Sequence, residues 1–312
     1  MLVNSVKPLQ KFPGLDTLRG IAITSVIFAH FFGAYIPQIL EQVSAYGGVI
    51  LFFFLSGFLI DRTLAHDSNI YRFAIRRIMR LIPMYWFTIL LIATKDKSWT
   101  LYDVISNMIF AASHSNQMSG VFWTLYIEVS FYALAPIVLL FNRYLVIISP
   151  YFVVLIFAFN NNSVSPMWFF LIYCFMGAQI GAAQRGATPV LPVIISTCAL
   201  SVASSIYGPV SWWLGLLSLG AALLLYTAIR RELKSRCFGF IGKVSYSWYL
   251  IHPVFGYSIG WSAVSYLHLP DQVGLTIGAG CMLAMSAACY KFIEQPGMQL
   301  ANRLIGRTKN RA

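Results

Sequence analysis

Apolar runs of roughly 16 to 22 residues follow one another along almost the whole chain, separated only by short polar breaks. A run of that length suits an α-helix crossing the ~30 Å hydrocarbon core of a bilayer, where every backbone N–H and C=O must be paired within its own segment. Spans are expected near 18–36, 46–61, 80–94, 121–141, 144–159, 166–183, 190–206, 211–228, 240–262 and 272–292. The fold class is therefore all-α: a polytopic membrane protein of about ten transmembrane helices. With 58% hydrophobic and only 10% charged residues, the chain falls far from a soluble domain, in which about a quarter of residues carry charge.

A net charge of +12 in a soluble chain would suggest a polyanionic partner. Here the positions of the cations explain it. With the N-terminus in the cytoplasm, all of the 22 Lys and Arg except Lys95 and Lys97 fall in inner loops or at inner helix ends, as expected when basic residues stay on the cytoplasmic side. Both termini are then cytoplasmic, and no nucleic-acid partner is needed. The first run, preceded by Lys7 and Lys11, lacks a small-residue cleavage site and is expected to be a retained helix. The five cysteines show no CxxC or extracellular pairing pattern, so neither a disulfide framework nor a metal site is expected.

No linker, low-complexity tract or internal repeat divides the sequence, so residues 1–312 read as a single membrane domain with a short cytoplasmic tail after about residue 293. Residues 37–45, 160–165, 207–210 and 262–271 are expected as short outer loops. Residues 95–120 contain LYDVISNMIFAAS, too short to span and expected as an interfacial or re-entrant helix of an outer lid. Residues 61–80 form the most basic inner loop, with Arg72, Arg76, Arg77 and Arg80 at helical spacing. That face could anchor lipid headgroups or clamp a phosphorylated cytosolic ligand, since guanidinium forks match phosphate oxygens two at a time.

Ionisable residues inside spans are costly and are read first as functional. Arg19 and His30 share the first span; eleven residues put them about 20° apart around a helix and about 16 Å apart along it. Depth along the expected spans brings His30, Ser56, Glu128 and His252 to one mid-membrane layer. An imidazole beside a carboxylate can act as a general base, so His30 with Glu128 is the expected catalytic pair. Bland readings stand beside these: Ser56 next to Gly57 suits helix packing, His252 before Pro253 can repair backbone freed by the proline, and His30 with Glu128 can be an interhelical hydrogen bond without chemistry. Trp99, Tyr102, Phe122 and Trp123 could stack on a sugar or form an interfacial aromatic belt.

Six segments in order, GLDTLRGIAITSVIFAH, LFFFLSGFLI, RRIMRLIPMYW, FWTLYIEVSFY, GKVSYSWYLIHPVF and FIEQP, together resemble the membrane acyltransferase-3 family, whose members O-acetylate bacterial cell-surface polysaccharides. The resemblance implies a multi-pass protein of the bacterial inner membrane that takes an acyl-CoA donor such as acetyl-CoA from the cytoplasm. Arg19, Arg77 and Arg80 match positions linked to donor binding or activity, and His30 matches the catalytic histidine. Ser56, Trp123, Tyr249 and His252, in the matching segments, are candidates for substrate contact or support. The implied acceptor is a hydroxyl of a glycan or lipid-linked sugar, as in O-antigen (lipopolysaccharide) or exopolysaccharide modification, with His30 acting as base or as acyl carrier. Many relatives carry a further extracytoplasmic hydrolase-like domain; this chain ends shortly after its last span, so transfer is expected to be completed by the membrane domain or a separate partner. Membrane lipid is an obligatory partner, a homo-oligomer stays open, and a multi-span transporter is the alternative from another class.

Overall fold

The structure, a computed structural model, describes residues 12–141, 144–159, 165–208, 212–231 and 233–309. Among these residues there is no strand; every regular element is a helix. The expected basic positions Lys7, Lys11 and Arg143, and most of the expected loops 160–165 and 207–210, lie outside the described residues.

Helix α1 (Pro13–Phe32) starts on a proline, whose missing N–H costs nothing in a first turn. Helix α2 (Gln38–His66) runs for 29 residues, so the expected outer loop 37–45 is mostly its first two turns. Helix α3 (Ile70–Lys95) is capped by the Asn69 side chain, which accepts from the Arg72 N–H at 2.9 Å. Residues 61–80 are therefore not a loop but two helix ends around a break at 67–69, and Arg72, Arg76, Arg77 and Arg80 occupy the first turns of α3. Helix α4 (Leu101–Met108) is opened by a reciprocal cap between Thr100 and Asp103. Its exposed Leu101, Tyr102 and Ile105 give the apolar face an interfacial helix needs.

Helices α5 (Trp123–Phe141), α6 (Leu145–Ala158), α7 (Leu171–Gln184), α8 (Val190–Tyr207) and α9 (Leu214–Arg231) follow. Helix α10 (Arg236–Ile251) passes through a π turn, His252–Gly256, into α11 (Tyr257–Leu267). Helix α12 (Asp271–Cys289) passes likewise through Tyr290–Glu294 into α13 (Gln295–Lys309). The expected tail after 293 is thus largely helical. Among the described residues, eight stretches are long and apolar enough to cross a membrane. The difference from about ten has a local cause: the 144–159 run makes a helix of only 14 residues, and the 240–262 run, interspersed with Lys, Ser, Tyr, Trp and His, is too polar for its length.

Helices α1 and α2 form the centre: α1 packs on α10 and α2, and α2 on α7, α9 and α5. Large aromatic side chains, Phe54, Phe58, Phe131, Phe170 and Tyr173 among them, fill the space between. Two interfaces bring backbones together. A Cβ at Gly57 would collide with the Cys174 carbonyl and one at Gly177 with that of Phe54; Gly20 and Gly242 stand in the same relation to Phe238 and Asp16. Small residues serve membrane helices in this way because close approach gains dispersion where lipid offers no hydrophobic drive. The outside is apolar, with Ile137, Phe141, Phe152 and Leu223 exposed, which would be a liability in water and is the required surface against lipid. At the inner-loop end, Asp61 of α2 is sealed by a two-pronged bond from Arg185, at 2.7 and 2.8 Å.

Candidate active site

Two cavities lie on the path between the ends of α1. The one towards the start of α1, called inner after the expected cytoplasmic side, of about 90 Å³, is lined by Arg19 of α1, Ser56 of α2, Arg77 and Arg80 of α3, Glu128 and Tyr132 of α5, and Tyr249 of α10. Three guanidinium groups there face a single carboxylate. The outer one, of about 380 Å³, is lined by His30, Gln38, Glu41, Gln42, Tyr46, Trp123 and, again, Tyr249. Arg19 and His30 thus do share a helix face, as their spacing required, but each opens into a different chamber.

Helix α1 begins at Pro13, several residues before the expected start, so His30 comes two residues before the end of the helix rather than at mid-depth. The two residues expected to pair take different partners. Glu128 accepts from Ser56 Oγ at 3.1 Å and from the Tyr132 hydroxyl, all within the inner cavity. His30 instead places Nδ1 2.7 Å from Nε2 of His252; with the centroids 5.0 Å apart and the ring planes 26° apart, the two rings meet edge to edge, nitrogen to nitrogen. Ser56 is therefore a carboxylate partner as well as a small packing residue. His252, fully buried, does answer carbonyls near Pro253: its Nδ1 lies 2.8 Å from the Tyr249 oxygen and 3.1 Å from that of Trp248. It also touches His30.

In the inner cavity Arg19 pairs with Asp16 one turn away, at 3.2 Å. Arg77 donates from Nη2 to Thr63 Oγ1 at 3.0 Å and lies over the rings of Phe73 and Tyr132, while its Nε is buried with no partner. A buried, unanswered N–H of a cation is costly, and it suits an anionic ligand arriving from the inner side. Phosphate oxygens are the natural match to a guanidinium fork. At about 90 Å³ the cavity is well below the roughly 300–1,000 Å³ of a site enclosing a drug-sized ligand. It admits a narrow arm, not a whole nucleotide.

Tyr249 and Val49 line both cavities. The Tyr249 hydroxyl donates to the Val121 carbonyl at 3.1 Å and accepts from Thr124 at 2.9 Å, which fixes the ring between the chambers. Trp123 meets Phe53 and Phe170 edge-on while lining the outer cavity, so it belongs to the aromatic packing and the vestibule wall at once. Among the described residues no group of His, Cys, Asp and Glu is arranged to hold a metal ion.

Gln38, Glu41, Gln42 and Tyr132 were not singled out from the sequence. Gln38, Glu41, Gln42, Ala45 and Val49 follow helical spacing into the second apolar run, and that periodicity could have revealed a polar-lined extension of α2. Tyr132 follows Glu128 by four residues, the spacing at which helical side chains meet.

A family model described as an acyltransferase domain matches residues 12–291. A protein of Komagataeibacter xylinus named as a membrane-bound transacylase is 24% identical, with all of this chain and 89% of that protein covered. A protein of Acidianus two-tailed virus named as an acetyltransferase is 29% identical over 40% of each chain. Nodulation protein 10 of Rhizobium leguminosarum bv. viciae is 24% identical over 40% of this chain and 43% of its own. The matched segments thus span less than half the length of the viral and rhizobial relatives. No solved structure matches.

Proposed function

The chain belongs to the acyltransferase family whose model covers residues 12–291, and on that premise we propose that it moves an acyl group, acetyl from acetyl-CoA, through the septum of Val49 and Tyr249 to a hydroxyl of a glycan or lipid-linked sugar. It is an integral membrane acyltransferase. The observation that carries the finer reading is the pair of cavities sharing that septum, arginine-lined on one side and holding an imidazole on the other.

The donor's phosphates meet Arg77, Arg80 and Arg19 at the inner side, with the nucleotide outside the narrow cavity and the pantetheine arm within it. The thioester reaches the septum from below; the acceptor hydroxyl comes from the outer vestibule, among Gln38, Glu41, Gln42 and Trp123. Amides, a carboxylate and an aromatic ring are groups that can hold a polyol by hydrogen bonds and a flat contact. His30 takes the hydroxyl proton as the oxygen attacks the thioester carbonyl, the C–S bond breaks, and CoA leaves as a thiolate that regains a proton. In the two-step route the same imidazole first takes the acyl group and passes it to the hydroxyl. The distribution of Lys and Arg supports cytoplasmic placement of both termini, and the resemblance to the acyltransferase family supports the bacterial inner membrane as the site. The names of two relatives, a membrane-bound transacylase and an acetyltransferase, support the reaction class.

The test measures O-acetyl content of surface glycans by NMR in cells expressing the protein or His30→Ala at matched membrane abundance, together with CoA thiol release by purified protein given acetyl-CoA. Acetylation lost with His30→Ala is the expected result. Undiminished acetylation and thiol release in the variant would remove His30 from the reaction.

A further inference from the structure

His252 has two ring nitrogens with unlike neighbours, and together they determine where both protons sit. Its Nδ1 faces only carbonyl oxygens, those of Tyr249 at 2.8 Å and Trp248 at 3.1 Å. Carbonyls accept and never donate, so this nitrogen must carry the hydrogen. The Tyr249 carbonyl is available because residue 253 is proline, which has no N–H to return to the carbonyl four residues earlier. In neutral imidazole the other nitrogen, Nε2, then holds a lone pair. That lone pair points at His30 Nδ1, 2.7 Å away. The close contact is a hydrogen bond only if His30 Nδ1 carries its own hydrogen, which leaves the lone pair of His30 on Nε2.

We propose that His252 is the positioning residue of the catalytic histidine: by accepting from His30 Nδ1–H it holds His30 in the tautomer whose Nε2 is free to take a proton or an acyl group. This rests on the reading of His30 as the working imidazole. The chain of cause starts at Pro253, runs through the freed Tyr249 carbonyl, and ends on the far nitrogen of a ring from another helix. Orientation is fixed as well as tautomer. His252 is fully buried, and the Tyr257 hydroxyl donates to the His30 carbonyl at 2.5 Å, so both the ring and the helix end that bears it are held by the same stretch of helix running from α10 through the π turn into α11. When His30 Nε2 gains a proton, its Nδ1–H bond to His252 is unchanged, so no group has to turn over during the step. A second histidine here does the orienting that a carboxylate does in a Ser-His-Asp triad, and it does so without placing a second charge in a buried site.

The experiment uses the full-length protein with ¹⁵N-labelled histidine in lipid nanodiscs. The chain has five histidines, and the signals of His30 are identified by their loss in His30→Ala. Wild type should show His30 protonated at Nδ1 and bare at Nε2. His252→Gln, whose side-chain oxygen can still accept, should keep that form; His252→Phe, which cannot accept, should lose it. In parallel, acetyl-CoA turnover by membrane vesicles from the expressing cells should fall about 100-fold in kcat for His252→Phe, with KM for acetyl-CoA unchanged, and recover most of that loss in His252→Gln. A wild-type His30 protonated at Nε2, or a His252→Phe variant that keeps both the Nδ1–H form and full turnover, overturns the proposal. Should His252→Phe fail to fold, the wild-type spectrum and the Gln variant decide alone. Failure of the readings beneath it looks different: wild-type vesicles without acetyl-CoA turnover would overturn the acyltransfer reading, and a His30→Ala variant with intact turnover the role of His30, whatever the tautomer.

Discussion

Val49 on α2 and Tyr249 on α10 border both cavities, so the boundary between the arginine-lined side and the His30 side runs through these two side chains. An acyl group that crosses must pass between them. Val49→Trp should close the passage: kcat is expected to drop on the order of tenfold or more, because small misplacements of reacting groups are costly, while donor binding measured by calorimetry stays as it was. Tyr249→Ala should do the opposite, raising CoA release in the absence of acceptor as water reaches the thioester. Unchanged kcat in the first variant and unchanged coupling in the second would place the boundary elsewhere.

Arg77 carries a buried Nε without a partner beside an Nη2 held by Thr63. Arg77→Lys keeps the charge and removes the planar fork, and the two cations are not interchangeable at a forked site. KM for acetyl-CoA is expected to rise about tenfold, a loss of about 1.4 kcal/mol of binding, with kcat nearly unchanged. An effect on kcat alone, at constant KM, would assign Arg77 to the chemical step instead.

Glu128 bonds Ser56 and Tyr132 rather than His30. Glu128→Gln is therefore expected to leave the pH–rate limb set by His30 where it is, and to change KM for the anionic donor several-fold by altering the charge facing the three arginines. A displaced limb with constant KM would show that Glu128 acts through His30 after all. Measuring kcat and kcat/KM across pH for both proteins separates the two outcomes.

Much of this was legible in the sequence because a bilayer permits so few solutions. Apolar runs had to be helices, and the eleven-residue interval had to put Arg19 and His30 on one face. What the sequence could not deliver was helix ends. Those depend on caps and neighbours: Asn69 starting α3, Gln38 starting α2 well before its apolar run, Pro13 starting α1 early. An error of a few residues at each end put His30 nearer the end of α1 than the expected mid-depth, and depth alone could not report that Glu128 would bond Ser56 and Tyr132. The His30–His252 contact spans 222 residues of chain, a separation no local periodicity reports. His252 beside Pro253 was nonetheless readable as a backbone repair, and that half of its role is what the structure shows.

Asp61, whose side chain has no exposed surface, and Arg185, about a third exposed, bind α2 to the end of α7. Removing one partner of a buried pair leaves the other uncompensated, at a cost of about 3–5 kcal/mol, whereas removing both costs less; the partial exposure of Arg185 puts the expected loss at the lower end. Arg185→Ala should thus lower the thermal unfolding midpoint more than the double variant Asp61→Asn/Arg185→Ala. Scanning fluorimetry in one detergent compares them, and a double variant as unstable as the single one would show that the charge is not the cause.

Gly57 against the Cys174 carbonyl and Gly177 against that of Phe54, like Gly20 and Gly242 against those of Phe238 and Asp16, mesh as teeth on two pairs of rods. Contacts this close hold α1 against α10 and α2 against α7 at a fixed spacing. Under the proposed reaction, a slender arm bearing a small acyl group would move past walls that keep their spacing, so that the cargo travels and the frame need not.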